Sequence, residues 1–119
     1  MAVSEQFVAF VLDQLGEVRK VTHRRMFGGA GFYAGALFFA LADDDTLYFK
    51  VDDSNRSDFE REGMKPFQPF GADSKPMGYY EVPPRVLEDI EELTLWMQRA
   101  ISVAARRGQR RSRTDQRAG

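Results

Sequence analysis

Residues 26–42 read MFGGAGFYAGALFFALA, a run of seventeen residues without a charge, between arginines at 24 and 25 and aspartates at 43, 44 and 45. A membrane-spanning helix needs about twenty apolar residues, whereas this run covers only about 25 Å at helical rise. The run also contains glycine at positions 28, 29, 31 and 35, and glycine weakens a helix interior. It therefore predicts buried β-structure with a turn at Gly28-Gly29 and no membrane helix.

The part of this run from Gly31 to Leu41 has no polar face. A strand that is apolar on both faces is typically central, or covered from both sides. Alternation predicts one face with Tyr33, Leu37, Phe39 and Leu41, and an opposite face with Phe32, Ala34, Ala36, Phe38 and Ala40. Because the helices of the chain cover one face, we expect a second copy of the chain or a partner protein to dock on the other.

Three further strands are predicted on either side of the run. Val18 to Phe27 is rich in β-branched residues with Arg and Lys interleaved, which is typical of a strand near a sheet edge. Thr46 to Asp52 alternates between apolar and polar residues, and Met77 to Val82 adds another strand. Met64 to Pro76 contains three prolines and is predicted as an irregular connection whose two phenylalanines pack on the core.

Three helices are predicted from the spacing of apolar residues. The first covers about residues 5–15 after the N-cap Ser4, and the second is short and ends near Glu62. The last begins at Pro83-Pro84, because proline fits the first turn of a helix, and ends at Gly108. Its apolar residues step by four, three, four, three and four positions: Val86, Ile90, Leu93, Met97, Ala100 and Ala104.

The resulting element order is α-β-β-β-α-β-α. It predicts an α+β fold in which helices pack on one face of an antiparallel sheet of about four to five strands. With 119 residues the chain is long enough for one domain with its own core. We assign that domain to residues 1–105 and predict that residues 106–119 form an Arg-rich disordered tail.

Residue types that carry much of enzyme chemistry are scarce. The chain has no cysteine and one histidine, His23, which excludes thiolate sites, multi-histidine metal sites and a cysteine nucleophile. The aspartates at 43–45, 52 and 53 lack the staggered spacing of a calcium loop and are predicted to form a solvated turn and a helix cap. We therefore predict no catalytic, cofactor-binding or metal-binding residue, and a protein that is not an enzyme.

Charge is divided unevenly along the chain. Residues 1–105 carry eleven basic and seventeen acidic groups, whereas residues 106–119 carry six arginines against Asp115. A flexible Arg cluster binds phosphates, with affinity that falls steeply with salt, or contacts the acidic surface of a protein. The candidate residues for binding nucleic acid or an acidic partner are Arg106, Arg107, Arg110, Arg111, Arg113 and Arg117.

Four motifs follow one another along the chain: MFGGxGxYxGxxF at 26–38, LYFKVD at 47–52, PFQPFG at 66–71 and KPMGYYEVP at 75–83. In this order they resemble the opening hairpin, the third strand and the Pro/aromatic segment of the N-terminal domain of the TfoX/Sxy family. The resemblance covers about residues 5–105. Each motif alone is weakly specific, and their order makes the combination specific.

The resemblance implies a cytoplasmic bacterial protein related to regulators of natural competence, the uptake of DNA for transformation. Those regulators act as transcriptional co-activators with the cyclic-AMP receptor protein, and the resemblance implies no catalytic residue. They carry a second, helical domain after this one, whereas this chain ends after its Arg-rich tail, so we expect a single-domain member. The expected function is a non-enzymatic regulatory protein-interaction module; the alternative is nucleic-acid binding through the tail.

Overall fold

The computed structural model describes residues 3–26, 28–68 and 78–118, with side chains up to Arg106. Its elements in chain order are α1 (Glu5–Gly16), β1 (Thr22–Met26), β2 (Gly29–Ala34), β3 (Leu37–Asp43), β4 (Thr46–Lys50), α2 (Arg56–Arg61), β5 (Tyr79–Glu81), α3 (Pro84–Leu87) and α4 (Ile90–Ala118). Antiparallel pairing joins the described strands into a five-stranded sheet in the order β1-β2-β3-β4-β5. The predicted α+β class, with an antiparallel sheet and packed helices, is confirmed.

The apolar run forms two strands where the sequence predicts one. β2 ends at Ala34, the chain turns at Gly35-Ala36, and β3 begins at Leu37. Gly35 has a φ of +61°, a left-handed conformation that glycine adopts without the steric cost of a Cβ atom. The strands on both sides of this turn are apolar, and so the sequence lacks the polar residues from which a hairpin turn is usually recognised. The described sheet therefore contains four consecutive strands before α2.

A β-bulge divides the faces of β3. Pairing moves from Tyr33↔Phe38 to Phe32↔Ala40, so Phe39 is an extra residue in β3. A bulge bends its strand and changes the direction of the side chains that follow. The predicted alternation is wrong at this point: Phe39 is fully buried with the core, whereas the Phe38 ring contacts Tyr33, with ring centroids 5.1 Å apart.

The core lies between the sheet and the helices. Phe32, Phe39 and Phe49 from three neighbouring strands are all 0% exposed. On the helix side, Phe59 of α2 packs edge-on against Trp96 of α4, with ring centroids 4.8 Å apart. Burying a side chain of this size contributes about 1.5–3 kcal/mol relative to leaving it exposed. This aromatic core holds α2 and α4 on one face of the sheet.

The last helix differs from the prediction at both ends. It starts anew at Ile90, because the Asp89 carboxylate accepts the N–H groups of Glu91 and Glu92 and caps α4 there. The backbone of α4 then continues through Gly108 to Ala118, which is possible because glycine inside a helix costs only about 1 kcal/mol. The predicted end at Gly108 is therefore wrong, while the division into a domain and a tail stays a prediction. No helix in the described ranges is long and apolar enough to cross a bilayer.

The two edges of the sheet are built differently. Along β5, the N–H of Phe67 donates to the carbonyl of Tyr79, and the N–H of Glu81 donates to the carbonyl of Lys65. Residues 65–67 thus cover that edge, while β1 forms the other edge. β1 begins at Thr22 rather than Val18, and Phe70 and Met77 lie outside the described residues.

Candidate interaction surfaces

The side of the sheet opposite the core, which we call the outer face, carries a group of aromatic side chains. Paired residues that are both buried, such as Ala40 and Phe49, mark the inner side, so the next pair, Leu41 and Tyr48, points outward. Seven side chains grouped on this face are half-buried, in contrast to the fully buried inner residues. They are Tyr33, Phe38, Leu41, Tyr48, Lys50, Phe67 and Tyr79.

The aromatic rings of the outer face contact one another across strands. Phe38 lies 5.1 Å from Tyr33 and 6.1 Å from Tyr79 between ring centroids. Farther along the sheet, Tyr48 and Phe67 approach to 4.8 Å. Tilted ring pairs at such distances stabilise each other beyond the apolar area they bury. The rings therefore form a preorganised layer rather than separate exposed side chains.

Gly31 provides the floor of this layer. A Cβ atom placed on Gly31 would lie 2.7 Å from Cε of Met26 and 3.2 Å from Cζ of Phe38. Glycine leaves room here for these two side chains, which lie over its backbone. The glycine-rich segment leads directly into strand β2, whereas a phosphate-binding glycine loop requires a helix to begin there. The interpretation of this segment as a structural turn is therefore confirmed.

Lys50 and the tyrosine hydroxyls give the half-buried layer its polar character. Nζ of Lys50 lies 5.2 Å from the Tyr79 ring centroid and donates a 3.2 Å hydrogen bond to the Tyr79 hydroxyl. Burial, followed by the nearby charges of Glu81 and the aspartates at 43 and 44, raises the pKa of Tyr48 above its ordinary value of 10.0. At neutral pH the Tyr48 hydroxyl is therefore a neutral hydrogen-bonding group within an apolar layer.

Sequence reasoning identified a second apolar face but only part of its membership. Tyr33 and Leu41 share one face as predicted, and that face is the outer one, while the bulge replaces Phe39 with Phe38. Phe67 was expected to pack on the core and instead packs on Tyr48. Its place depends on residues 65–67 pairing with β5, a contact for which the local sequence gives no signal.

Asp45 and Asp52, two of the aspartates predicted to form a turn and a helix cap, have structural roles. Asp45 accepts the backbone N–H of Ser4, at 2.7 Å, next to the start of α1. Asp52 accepts the N–H and the hydroxyl of Ser54. Asn55, at the N-cap position of α2, makes no capping bond with its side chain. In the described part of the chain, no three His, Cys, Asp or Glu residues are grouped as a metal site.

Of the six candidate arginines, Arg106 is held against the domain. Its guanidinium donates to Asp52, at 3.1 Å, and to the Ser54 hydroxyl, at 2.7 Å. Burial alone would raise the pKa of Asp52, but hydrogen bonds from Ser54 and the charge of Arg106 outweigh it and hold the pKa at about 2. For the other five candidates the structure describes the backbone of α4 but not the side chains. They are Arg107, Arg110, Arg111, Arg113 and Arg117.

A shallow groove of about 410 Å³ runs along α4 beside the turn that precedes α2. Its cations are already paired, since Arg99 lies 2.8 Å from Asp58 and Arg106 lies 3.1 Å from Asp52. An anionic ligand would have to displace these carboxylates. The outer face is therefore the better candidate for a binding surface. The groove is lined by Ser54, Leu95, Gln98, Arg99, Ser102 and Arg106.

Comparison with known families identifies the domain. A family model described as the TfoX N-terminal domain matches residues 13–104. No individual curated protein shows a significant match. The matched range contains the five described strands and the outer face, and it ends before Arg106. Since this match covers most of the chain, the protein belongs to the TfoX N-terminal domain family of competence-related regulatory proteins.

Proposed function

We propose that the chain is a non-enzymatic regulatory module that binds a partner protein through the outer face of its sheet. The observation that carries the proposal is the half-buried aromatic layer of that face. Contiguous exposed apolar patches on soluble domains commonly mark interaction sites. Aromatic residues are also enriched in the cores of protein interfaces, where their large area and polar hydroxyls contribute much of the binding energy.

The family supports a regulatory role for the chain. The resemblance implies a co-activator that works with the cyclic-AMP receptor protein, and we propose a transcription regulator of that kind as the partner, bound in the bacterial cytoplasm. Lys50 and the Tyr48 and Tyr79 hydroxyls would orient the partner, because polar groups at the centre of an apolar patch restrict how it docks. The outer face would thus supply both affinity and orientation.

The test measures binding of the purified chain to purified cyclic-AMP receptor protein from the same organism, by calorimetry. Phe38→Ser removes a central ring of the outer face. Phe10→Ser is the matched control, since Phe10 lies on α1 and is 41% exposed. Circular dichroism and thermal melting confirm that both variants are folded.

We expect Phe38→Ser to weaken binding at least about tenfold, which is typical for loss of a central interface aromatic, and Phe10→Ser to bind normally. No binding by the unmodified chain would overturn the choice of partner. Equal binding by the two variants would overturn the choice of surface. A dimer in sedimentation that Phe38→Ser converts to monomer would assign the outer face to a second copy of the chain instead.

A second candidate function is nucleic-acid binding by the Arg-rich end of α4. The observation that favours it is the helical backbone through Ala118, along which arginines recur at 106, 110, 113 and 117. Steps of four and three residues return to one side of a helix. Truncation after Ala105 should then abolish DNA binding, which should also weaken steeply with salt. Equal DNA binding by the truncated chain would rule this function out.

A further inference from the structure

The open edge of the sheet is strongly basic. Among the described strands, β1 pairs with β2 alone, and residues 19–25 read RKVTHRR, with no acidic residue between Glu17 and Asp43. Residues 22–25 are all exposed. This segment contrasts with the net negative charge of residues 1–105. We call residues 19–26 the basic edge.

The strand register shows which backbone groups of the basic edge face outward. Met26 pairs with Gly29, and two residues lie between them in the chain. If this were a non-hydrogen-bonded pair, the next hydrogen-bonded pair would have to join residues 27 and 28, which are adjacent. Met26 and Gly29 therefore exchange both hydrogen bonds. Pairs alternate along an antiparallel ladder, so Arg24 also bonds to β2. The N–H and C=O groups of His23 and Arg25 consequently point away from the sheet.

Those outward groups have no partner within the described chain. No backbone or side-chain hydrogen bond there reaches the main chain of His23 or Arg25. The β5 edge, in contrast, is covered by residues 65–67. The side chains are similarly available: among described residues, Arg19, Lys20 and Arg24 make no ion pair.

We propose that the basic edge binds an acidic peptide segment in extended conformation, which joins the sheet as an additional strand next to β1. Strand addition satisfies the outward main-chain groups, and alternate acidic side chains of the peptide can share one face of the sheet with Arg24, while His23 and Arg25 lie on the other face. A second copy of the chain does not fit, because two basic edges side by side repel each other. Nucleic-acid phosphates would match the charge but would leave the strand-pairing groups unused. This site uses the backbone edge of β1 and does not depend on the function proposed for the outer face.

The experiment follows amide hydrogen exchange of the full chain by NMR, with a short synthetic peptide of alternating Val and Glu as the probe. In the free chain, the amides of His23 and Arg25 should exchange quickly, whereas the amide of Arg24, bonded to β2, should exchange slowly. The peptide should slow exchange at His23 and Arg25 specifically. The same peptide with an N-methyl group on every residue keeps the charge and loses the donors along both edges, so it is the matched probe control.

Charge is tested in the protein by Arg24→Glu, with Arg61→Glu as the matched control because Arg61 is 73% exposed on α2. We expect Arg24→Glu to weaken peptide binding at least about tenfold, and Arg61→Glu and the unmodified chain to bind alike. Equal binding of the N-methylated peptide, or unchanged exchange at His23 and Arg25, would refute strand addition. If duplex DNA binds this edge and displaces the peptide without slowing those amides, the basic edge is a phosphate-binding surface instead.

Discussion

The guanidinium of Arg106 donates a 3.1 Å hydrogen bond to the carboxylate of Asp52, a residue 54 positions earlier in the chain. The Ser54 hydroxyl lies between them, accepting from Arg106 and donating to Asp52. This contact joins the late turns of α4 to the turn that precedes α2.

The Asp52 contact should make stability depend on pH in the acid range. The pKa of Asp52 is held at about 2 in the folded chain, below its ordinary value of 3.8. A carboxyl with a lowered folded pKa stabilises the fold above its unfolded pKa and loses that contribution as pH falls toward the folded one. Asp52→Asn should therefore destabilise the chain by about 1 kcal/mol at neutral pH, since solvent screens this partly exposed pair.

The difference between the unmodified chain and Asp52→Asn should shrink as the pH falls from about 4 to about 2. Urea unfolding at a series of pH values measures it. Asp53→Asn is the control, because the Asp53 side chain is 94% exposed in its pair with Arg56 and such pairs contribute little. A difference for Asp52→Asn that stays constant through the acid range would contradict the role given to Asp52.

Asn55 should be essential to the turn between β4 and α2. It is 1% exposed, its Oδ1 accepts the Asp52 N–H at 2.9 Å, and its Nδ2 donates to the Lys50 carbonyl at 3.1 Å. Asn55→Ala removes the hydrogen bonds that the buried side chain makes to both main-chain groups, and we expect a loss of about 2–4 kcal/mol in unfolding free energy. Asn55→Asp keeps the acceptor but lacks the donor, so its unfolding free energy should lie between those of the unmodified chain and Asn55→Ala. Ser57→Ala, at an exposed position of α2, should be nearly neutral.

Three glycines should respond differently to alanine. A Cβ on Gly29 would collide with the carbonyl oxygen of Ala42, part of the rigid backbone, so Gly29→Ala should cost about 2–3 kcal/mol. At Gly31 the nearest atom is the flexible end of Met26, so Gly31→Ala should cost only about 1 kcal/mol. Gly16 has no atom within 4 Å of its Cβ position, and Gly16→Ala at the end of α1 should stabilise by up to about 1 kcal/mol. The melting temperature should be lowest for Gly29→Ala, higher for Gly31→Ala and highest for Gly16→Ala, which would support the close approach of β2 to β3. Equal costs at Gly29 and Gly31 would contradict that close approach.

Phe59 should be the residue that holds α2 on the core. It is 1% exposed and its ring lies 4.8 Å from Trp96 and 5.9 Å from Tyr80. Phe59→Ala should lower the unfolding free energy by about 3–5 kcal/mol, because it leaves a cavity among these rings. Phe10→Ala, at an exposed site on α1, serves as the control and should change it by less than about 1 kcal/mol. Chemical denaturation compares the two; a similar cost for both would show that α2 is not anchored through Phe59.

Features that depend on neighbours along the chain were predictable from the sequence. The hydroxyl of Ser4 accepts the Phe7 N–H and starts α1 as predicted. Leu93, Met97 and Ala100 of the predicted stripe are all 0% exposed, because the periodicity of a helix fixes which residues share one side. The family and the fold class were likewise evident from local motifs and their order.

Features that depend on contacts between distant segments required the tertiary structure. The bulge at Phe39 exists only relative to the register of β2, and it decides that Phe38 rather than Phe39 joins the outer face. Phe67 reaches that face because its segment pairs with β5, and Arg106 meets Asp52 across 54 positions. Local sequence determined most of the helices and strands, since backbone geometry repeats over a few residues, but it did not reveal the turn at Gly35 that divides the apolar run. The tertiary structure decided which side chains meet on a surface, because register and packing are set by partners far away in the chain.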